Sequence, residues 1–218
     1  MRNVPRTPKP PCLATNSHRW RREFLEAIRG SDVGLIKRRR GRYNHEQVRR
    51  ALDSMYRNLC CYCESQVGPV RADQIEHRMP VDGFPESAFE WDNLHLACGG
   101  CNRAKSNKWD TANPVLDAVA DMPIDHHLGY ECSNTGVRRV WRTPRGRTTV
   151  SDTDLNRERL REARNATMIK VVGLIQEIRT RFDNDPADSL AANRREELEE
   201  MRTGQYGSMI RWAVDTLL

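Results

Sequence analysis

The chain has 218 residues, 38% hydrophobic and 30% charged, with a formal net charge of +6 and a pI near 9.1. That composition allows one good core, or a small core with helical extensions, and leaves much of the chain as solvated surface whose sign favours a polyanionic partner. No apolar run approaches the roughly 18 residues needed to cross a bilayer, and seven cysteines without a secretory apolar segment argue against a disulfide scaffold, so the expectation is a cytoplasmic protein with reduced thiols and no membrane contact.

Residues 1–16 form a Pro-rich basic arm (Pro5, Pro8, Pro10, Pro11) that is not expected to fold alone. A helical N-terminal region over 17–59 follows. Ser17 opens a helix in which Trp20, Phe24, Leu25 and Ile28 recur at helical spacing, and Gly30 ends it. Residues 37–42 hold five basic side chains interrupted by Gly41, which suits either a DNA-phosphate contact or a mobile solvated loop. Asn44 with Gln47 reads as a capping box for a helix carrying Val48, Leu52, Met55 and Leu59. A motif-bearing core spans 60–117, and the region 118–218 reads as a hairpin followed by helices. Residues 137–141 and 148–150 look like strands around the turn Thr143-Pro144-Arg145-Gly146. A long helix is predicted over 154–182, with Leu155, Leu160, Ile169, Val172, Ile175 and Ile178 as its apolar stripe, broken at Asp185-Pro186. Two more helices, 187–202 and 206–218, complete the chain, the last carrying Ile210, Trp212, Ala213, Val214, Leu217 and Leu218.

The most demanding pattern lies in the core. Cys60-Cys63 and Cys98-Cys101 are two CxxC pairs, each able to point both thiolates at one metal, and together they make a tetrahedral zinc site. Four sulfur ligands leave no open coordination position, so this zinc is structural. Cys61 lacks the two-residue spacing to Cys63 and is read as a packing residue.

Between the pairs lie Ile75-Glu76-His77-Arg78-Met79-Pro80 and Trp91-Asp92-Asn93-Leu94, and the second pair runs into Asn102-Arg103-Ala104-Lys105. In this ordered combination the sequence resembles the HNH endonucleases. The resemblance implies an α+β chain, with a small zinc-stapled ββα-metal core embedded in a mainly α-helical whole. It implies DNA phosphodiester hydrolysis with one catalytic divalent metal. His77, on an exposed site near its unperturbed pKa of ~6.5, is the general base. Glu76 and Asn102 offer the hard oxygens that suit Mg²⁺ or Mn²⁺, although many such sites carry Asp where this chain has Glu76. Asn93 has a structural role in bracing a loop. Lys105, one turn beyond Asn102, is either a phosphate contact or a solvated helix lysine. Trp91 reads as a core anchor and His95 as structural.

The resemblance extends outward. Arg6-Thr7-Pro8, Cys60-Cys61-Tyr62-Cys63-Glu64, Asn113-Pro114-Val115-Leu116-Asp117 and Asp154-Leu155-Asn156-Arg157 look like the HNH-nuclease subunit of Septu anti-phage systems, and retron-associated HNH proteins share much of this pattern. The resemblance implies a bacterial defence nuclease working beside an ABC-type ATPase encoded nearby; no Walker motif is present in this chain, so any ATP use lies in a partner. The arm 1–16 and the helix 206–218 have no evident place in so small a core and are the expected docking segments for that partner, the alternative for the helix being that it closes this chain's own helical core. The alternatives are a non-catalytic zinc module binding nucleic acid or a partner, and a stand-alone restriction or homing nuclease.

Overall fold

In a computed structural model, which describes residues 1–68 and 73–217, the first helix (α1, Pro11–Arg29) begins well before the expected Ser17. Pro11 is the reason: at the first helical position its missing N–H forfeits no bond, and its fixed φ suits the helix. Cys12, Leu13, Trp20, Phe24 and Ala27 fall on one face and are buried. The residues ahead of α1 are docked on the molecule itself. Val4 donates its N–H to the Ala118 carbonyl at 2.9 Å, and Arg6 reaches the carbonyls of Leu94 and Asp92, both at 2.9 Å.

The basic run is helical. Helix α2 (Val33–Arg40) is capped by Asp32 and continues into a 3₁₀ turn at Gly41–Tyr43. Arg39 and Arg42 both pair with Glu23 of α1, which fixes this segment against the first helix. Helix α3 (Glu46–Tyr56) buries Val48, Leu52, Met55 and Tyr56. Its cap is His45, not Asn44: the imidazole accepts the Gln47 N–H at 3.1 Å. The Gln47 side chain instead accepts from the Cys12 N–H at 2.8 Å and joins α3 to α1.

Strands β1 (Asp73–His77) and β2 (Leu94–Cys98) pair antiparallel, Glu76 opposite His95 and His77 opposite Leu94. Helix α4 (Gly99–Lys105) follows β2 directly. The loop joining the strands is pinned to α1, because Phe89 meets Trp20 and Phe24 edge-on at 5.8 and 5.9 Å. Residues 69–72, inside the expected 60–117 core, and Leu218 lie outside the described residues.

Downstream, a short helix α5 (Ile124–His127) leads into β3 (Leu128–Ser133), which pairs with β4 (Gly136–Trp141). Here the structure corrects the sequence reading, since residues 148–150 are not a strand. They belong to α6 (Pro144–Asp152), whose cap Thr143 accepts the Gly146 N–H at 3.2 Å. A Thr-Pro helix start was read as a hairpin turn. The true partner of β4 lies upstream, across a turn where Gly136 adopts φ +100°. Helix α7 (Glu158–Asn184) starts later than expected because Asp154 is left-handed (φ 48°). It buries Leu160, Met168, Val171, Leu174, Ile175 and Ile178, while Ile169 of the expected stripe is 75% exposed. Helices α8 (Ser189–Thr203) and α9 (Gly207–Leu217) pack on α7.

One buried cluster runs from Leu13 and Phe24 through Trp91 and Leu96 to Leu128, Ile175, Met209 and Val214. The chain is mainly helical with two small two-stranded sheets. Of the two readings of the last helix, the structure shows the one in which it closes this chain's own core, and it docks the start of the arm there as well. Met1 and Val4 are buried in this cluster, as are Met209, Ile210 and Ala213 of α9, and Trp212 lies 5.8 Å from Tyr130. An apolar face that finds a core within its own chain is not left over for another. Among the described residues no helix is long and apolar enough to cross a membrane.

Candidate functional site

The metal centre is built from two chain turns. Cys60 and Cys63 lie in a tight loop closed by the Leu59–Gln66 bridge, with Glu64 in the left-handed region (φ 62°). Cys98 ends β2 and caps α4, its sulfur accepting the Cys101 N–H at 3.5 Å. The four Sγ atoms lie within 4.8 Å of one another, and Cys63 and Cys98 are 3.7 Å apart. A tetrahedron of Zn–S bonds near 2.3 Å has edges of about 3.8 Å, so the cluster fits zinc. Among the described residues it is the one group of three or more Cys, His, Asp or Glu ligand atoms close enough to share an ion. Cys61 is buried and outside the four; its main-chain N–H bonds to the Leu96 carbonyl at 2.8 Å.

A residue the sequence reading did not place at this centre closes it. Arg157, in the turn before α7, donates to Cys101 Sγ at 3.4 Å, to Cys98 Sγ at 3.6 Å and to Cys63 Sγ at 3.9 Å. Its guanidinium lies so close over Gly100 that a Cβ there would sit 3.1 Å from it. A side chain at position 100 would crowd this contact and push the guanidinium outward by a few tenths of an ångström.

On the other side of β1, Gln74 and Glu76 reach α4 at positions one helical turn apart. Asn102 Nδ2 donates to Gln74 Oε1 at 2.5 Å, and Lys105 Nζ pairs with Glu76 Oε1 at 2.8 Å. Lys105 also donates to the His77 carbonyl at 2.9 Å and is 1% exposed. Neither sequence reading of Lys105 anticipated this: the ammonium is internal and holds the acid-His pair. Burial pushes the Glu76 carboxyl up, against the pull of Lys105 and of Tyr62, whose hydroxyl donates to Oε1 at 3.2 Å.

His77 is buried, with Nε2 2.9 Å from the Ala88 carbonyl and Tyr43 edge-on to its ring at 4.5 Å. A carbonyl can only accept, so Nε2 carries the proton and Nδ1 keeps its lone pair. Burial is the main force lowering its pKa to about 4. Asn93 braces the loop that supplies Ala88: Oδ1 accepts the Met79 N–H at 2.7 Å, and Nδ2 donates to the carbonyls of Met79 and Ser87 at 3.1 and 3.2 Å. Trp91 is buried beneath Arg6, its indole N–H bonded to the Thr7 carbonyl at 2.8 Å. His95 bonds to the Tyr56 hydroxyl at 2.6 Å.

Glu76, His77 and Asn102 line one cleft of about 130 Å³, together with Arg40, Tyr43, Pro80 and Asn107. Asn102 uses its NH₂ on Gln74, which turns Oδ1 the other way, and both contacts to the Glu76 carboxylate fall on Oε1. A carboxylate and an amide oxygen facing one small polar cleft fit a hard divalent ion that keeps waters in its other positions. The basic run flags Arg40 in the sequence, but no local signal marks Tyr43 or Asn107, which line the cleft, or Tyr62, which meets Glu76 from the core.

Residues 60–108 match the family model for HNH endonucleases. Over 110 residues the chain is 28% identical to the Septu protein PtuB of Bacillus thuringiensis, covering 50% of this chain and 41% of that protein. It is 26% identical over 125 residues to the Septu protein PtuB of Bacillus mycoides (strain KBAB4), covering 44% and 41%. The matches thus span about two fifths of the length of these relatives.

Proposed function

We propose, from the HNH endonuclease domain at residues 60–108, that the chain hydrolyses DNA phosphodiester bonds with one catalytic divalent metal. The observation that carries this reading is the His77 imidazole, held neutral with Nε2 tied to the Ala88 carbonyl, in the same cleft as Glu76 and Asn102.

His77 Nδ1 takes the proton of the attacking water. The Ala88 carbonyl fixes the tautomer and aims the ring, and Asn93 fixes the loop bearing that carbonyl. Glu76 and Asn102 would hold Mg²⁺ or Mn²⁺ through their side-chain oxygens, and that ion would supply stabilisation of charge on the phosphate and the leaving oxygen. Lys105 keeps the Glu76 side chain and the His77 main chain in fixed relation, as a positioning residue. The four-cysteine zinc site holds Asn102 in place, because Asn102 follows Cys101 on α4.

Plasmid cleavage by the purified, zinc-loaded chain with added Mg²⁺ or Mn²⁺ tests the reading. His77→Ala is expected to lower the rate by about 10²–10⁴-fold, the usual worth of a positioned base, with zinc content retained. Binding without cleavage, unchanged by His77→Ala, would instead identify a non-catalytic zinc module.

The similarity to Septu proteins supports a role in anti-phage defence, and the proposal extends it to work beside an ABC-type ATPase. Co-purification with any such ATPase found encoded nearby, with and without nucleotide, tests that role; absence of a complex under both conditions would count against it.

A further inference from the structure

We propose that Arg40 and Asn107 form the phosphate-holding subsite of the cleft, and that Asp82 fills it in the unliganded chain as an internal competitor displaced by the nucleic-acid backbone. The inference rests on the endonuclease reading and names how that site holds its substrate.

A cleft that cleaves a phosphodiester needs a cation or strong donors facing the substrate. Lys105 is spent internally on Glu76, and Arg39 and Arg42 are committed to Glu23. Arg40 is the basic side chain that lines the cleft from its rim. Its Nη1 lies 3.1 Å from Asp82 Oδ1, while Asn107 Nδ2 donates to Asp82 Oδ2 at 2.6 Å. The two donors come from the end of α2 and from the chain just beyond α4, and both line the cleft that holds Glu76, His77 and Asn102.

Two donors converging on the two oxygens of one anionic group is also the geometry by which a phosphate is gripped through its non-bridging oxygens. The side chains of Arg40 and Asp82 are 42% and 54% exposed. An ion pair so open to water is weak, so an incoming phosphate can replace the carboxylate at small cost. Asp82 sits in the turn after Pro80, where Gly83 N–H bonds the Pro80 carbonyl at 3.1 Å, so it can swing away without disturbing β1 or α4. The carboxylate that lines the cleft itself, Glu76, is internal and paired with Lys105. The clasp therefore opposes entry of the substrate phosphate into the cleft while leaving the buried catalytic pair intact.

The test is fluorescence anisotropy of a short labelled DNA duplex, and of an RNA duplex of the same sequence, with the zinc-loaded full chain and no added Mg²⁺ or Mn²⁺. Asp82→Asn is expected to tighten DNA binding roughly threefold, the scale of an exposed ion pair. Arg40→Gln is expected to weaken it roughly tenfold and to reduce the salt slope by about 1, with Arg40→Lys restoring the slope. In the double variant the gain from Asp82→Asn should vanish, because the carboxylate no longer competes for an arginine. Zinc content and melting of these surface variants should match the wild type. Asp82→Asn binding DNA like the wild type, a gain that persists in the Arg40→Gln background, or a gain confined to RNA each overturns the clasp. If the wild type binds and cleaves DNA in these cases, the endonuclease reading stands and this inference alone fails. If the wild type neither binds nor cleaves nucleic acid, both fail.

Discussion

His77 and His95 show how far burial can move a residue from its sequence-level chemistry. The sequence reading put the base on an exposed site with a pKa of ~6.5; His77 is 8% exposed and its pKa is lowered to about 4, chiefly by burial. Protonation of His77 should therefore not limit cleavage at pH 6.5. Single-turnover rates are expected to show an acid limb at least one unit lower, and a limb at 6.5 would contradict the buried-base geometry. His95 goes further, its pKa lowered to about 3 by burial against the pull of Asp117. A folded pKa below the unfolded one means the unfolded chain binds the extra proton between about pH 3 and 6.5. This contribution to stability is full above 6.5 and declines on acidification, at a limiting slope of about 1.4 kcal/mol per pH unit. His95→Gln should flatten the fall in melting temperature between pH 7 and 5 relative to the wild type; equal slopes would remove His95 from the account. Burial also gives His77 a structural share, because His77→Ala deletes a buried hydrogen bond to Ala88 and should destabilise the fold by about 1–3 kcal/mol.

The elements divide into those whose signals are local and those whose signals are not. Helices α3, α8 and α9 follow from apolar spacing and from the breaks around them, and the CxxC knuckles follow from spacing alone. The hairpin was half misread, because Thr143-Pro144 serves a turn and a helix start equally well until the partner strand is known. The corner between α6 and α7 holds the Asp154-Leu155-Asn156-Arg157 stretch of the outer resemblance, but only the fold shows that it delivers Arg157 to three of the clustered cysteine sulfurs. Outer partners of metal ligands are commonly worth 10–100-fold in affinity. Arg157→Gln should therefore release zinc to a chromogenic chelator about tenfold faster or more, with Arg157→Lys in between; wild-type kinetics would show the contact to be idle. Asn102→Ala, by contrast, should keep zinc and lose cleavage, whereas Cys63→Ser or Cys98→Ser should lose zinc and fold together. Lost zinc in Asn102→Ala would erase the separation between scaffold and catalytic metal.

At the scale of the molecule, the C-terminal layer supports the segment that holds the cysteine cluster. The Glu64 side chain, next to zinc ligand Cys63, receives the Ser208 N–H at 3.0 Å and Arg2 Nε at 3.1 Å, and the Tyr206 N–H reaches the Glu64 carbonyl at 3.2 Å. Burial alone would raise that carboxyl; the amino group of Met1 and the Arg2 guanidinium hold it well below the usual carboxylate range. Deleting 207–218 should thus abolish cooperative melting and reduce zinc retention. A truncated chain that melts like the full one would restore α9 as a candidate partner-docking helix.

By itself the sequence picked out the four cysteines that cluster as zinc requires, and the Glu76-His77 pair and Asn102 that line one cleft. Metal and proton chemistry accept few residue types, and the ligand spacing is set by turns only a few residues long. Tertiary structure alone decided that Lys105 faces inward to Glu76, that Arg157 caps the thiolates, and that Asp82 bridges Arg40 and Asn107. It also decided that the arm and the last helix close this chain's own core. Periodicity and composition reveal that a face is apolar or a side chain charged; which neighbour it meets depends on residues tens to hundreds of positions away, brought together by packing that no local pattern records.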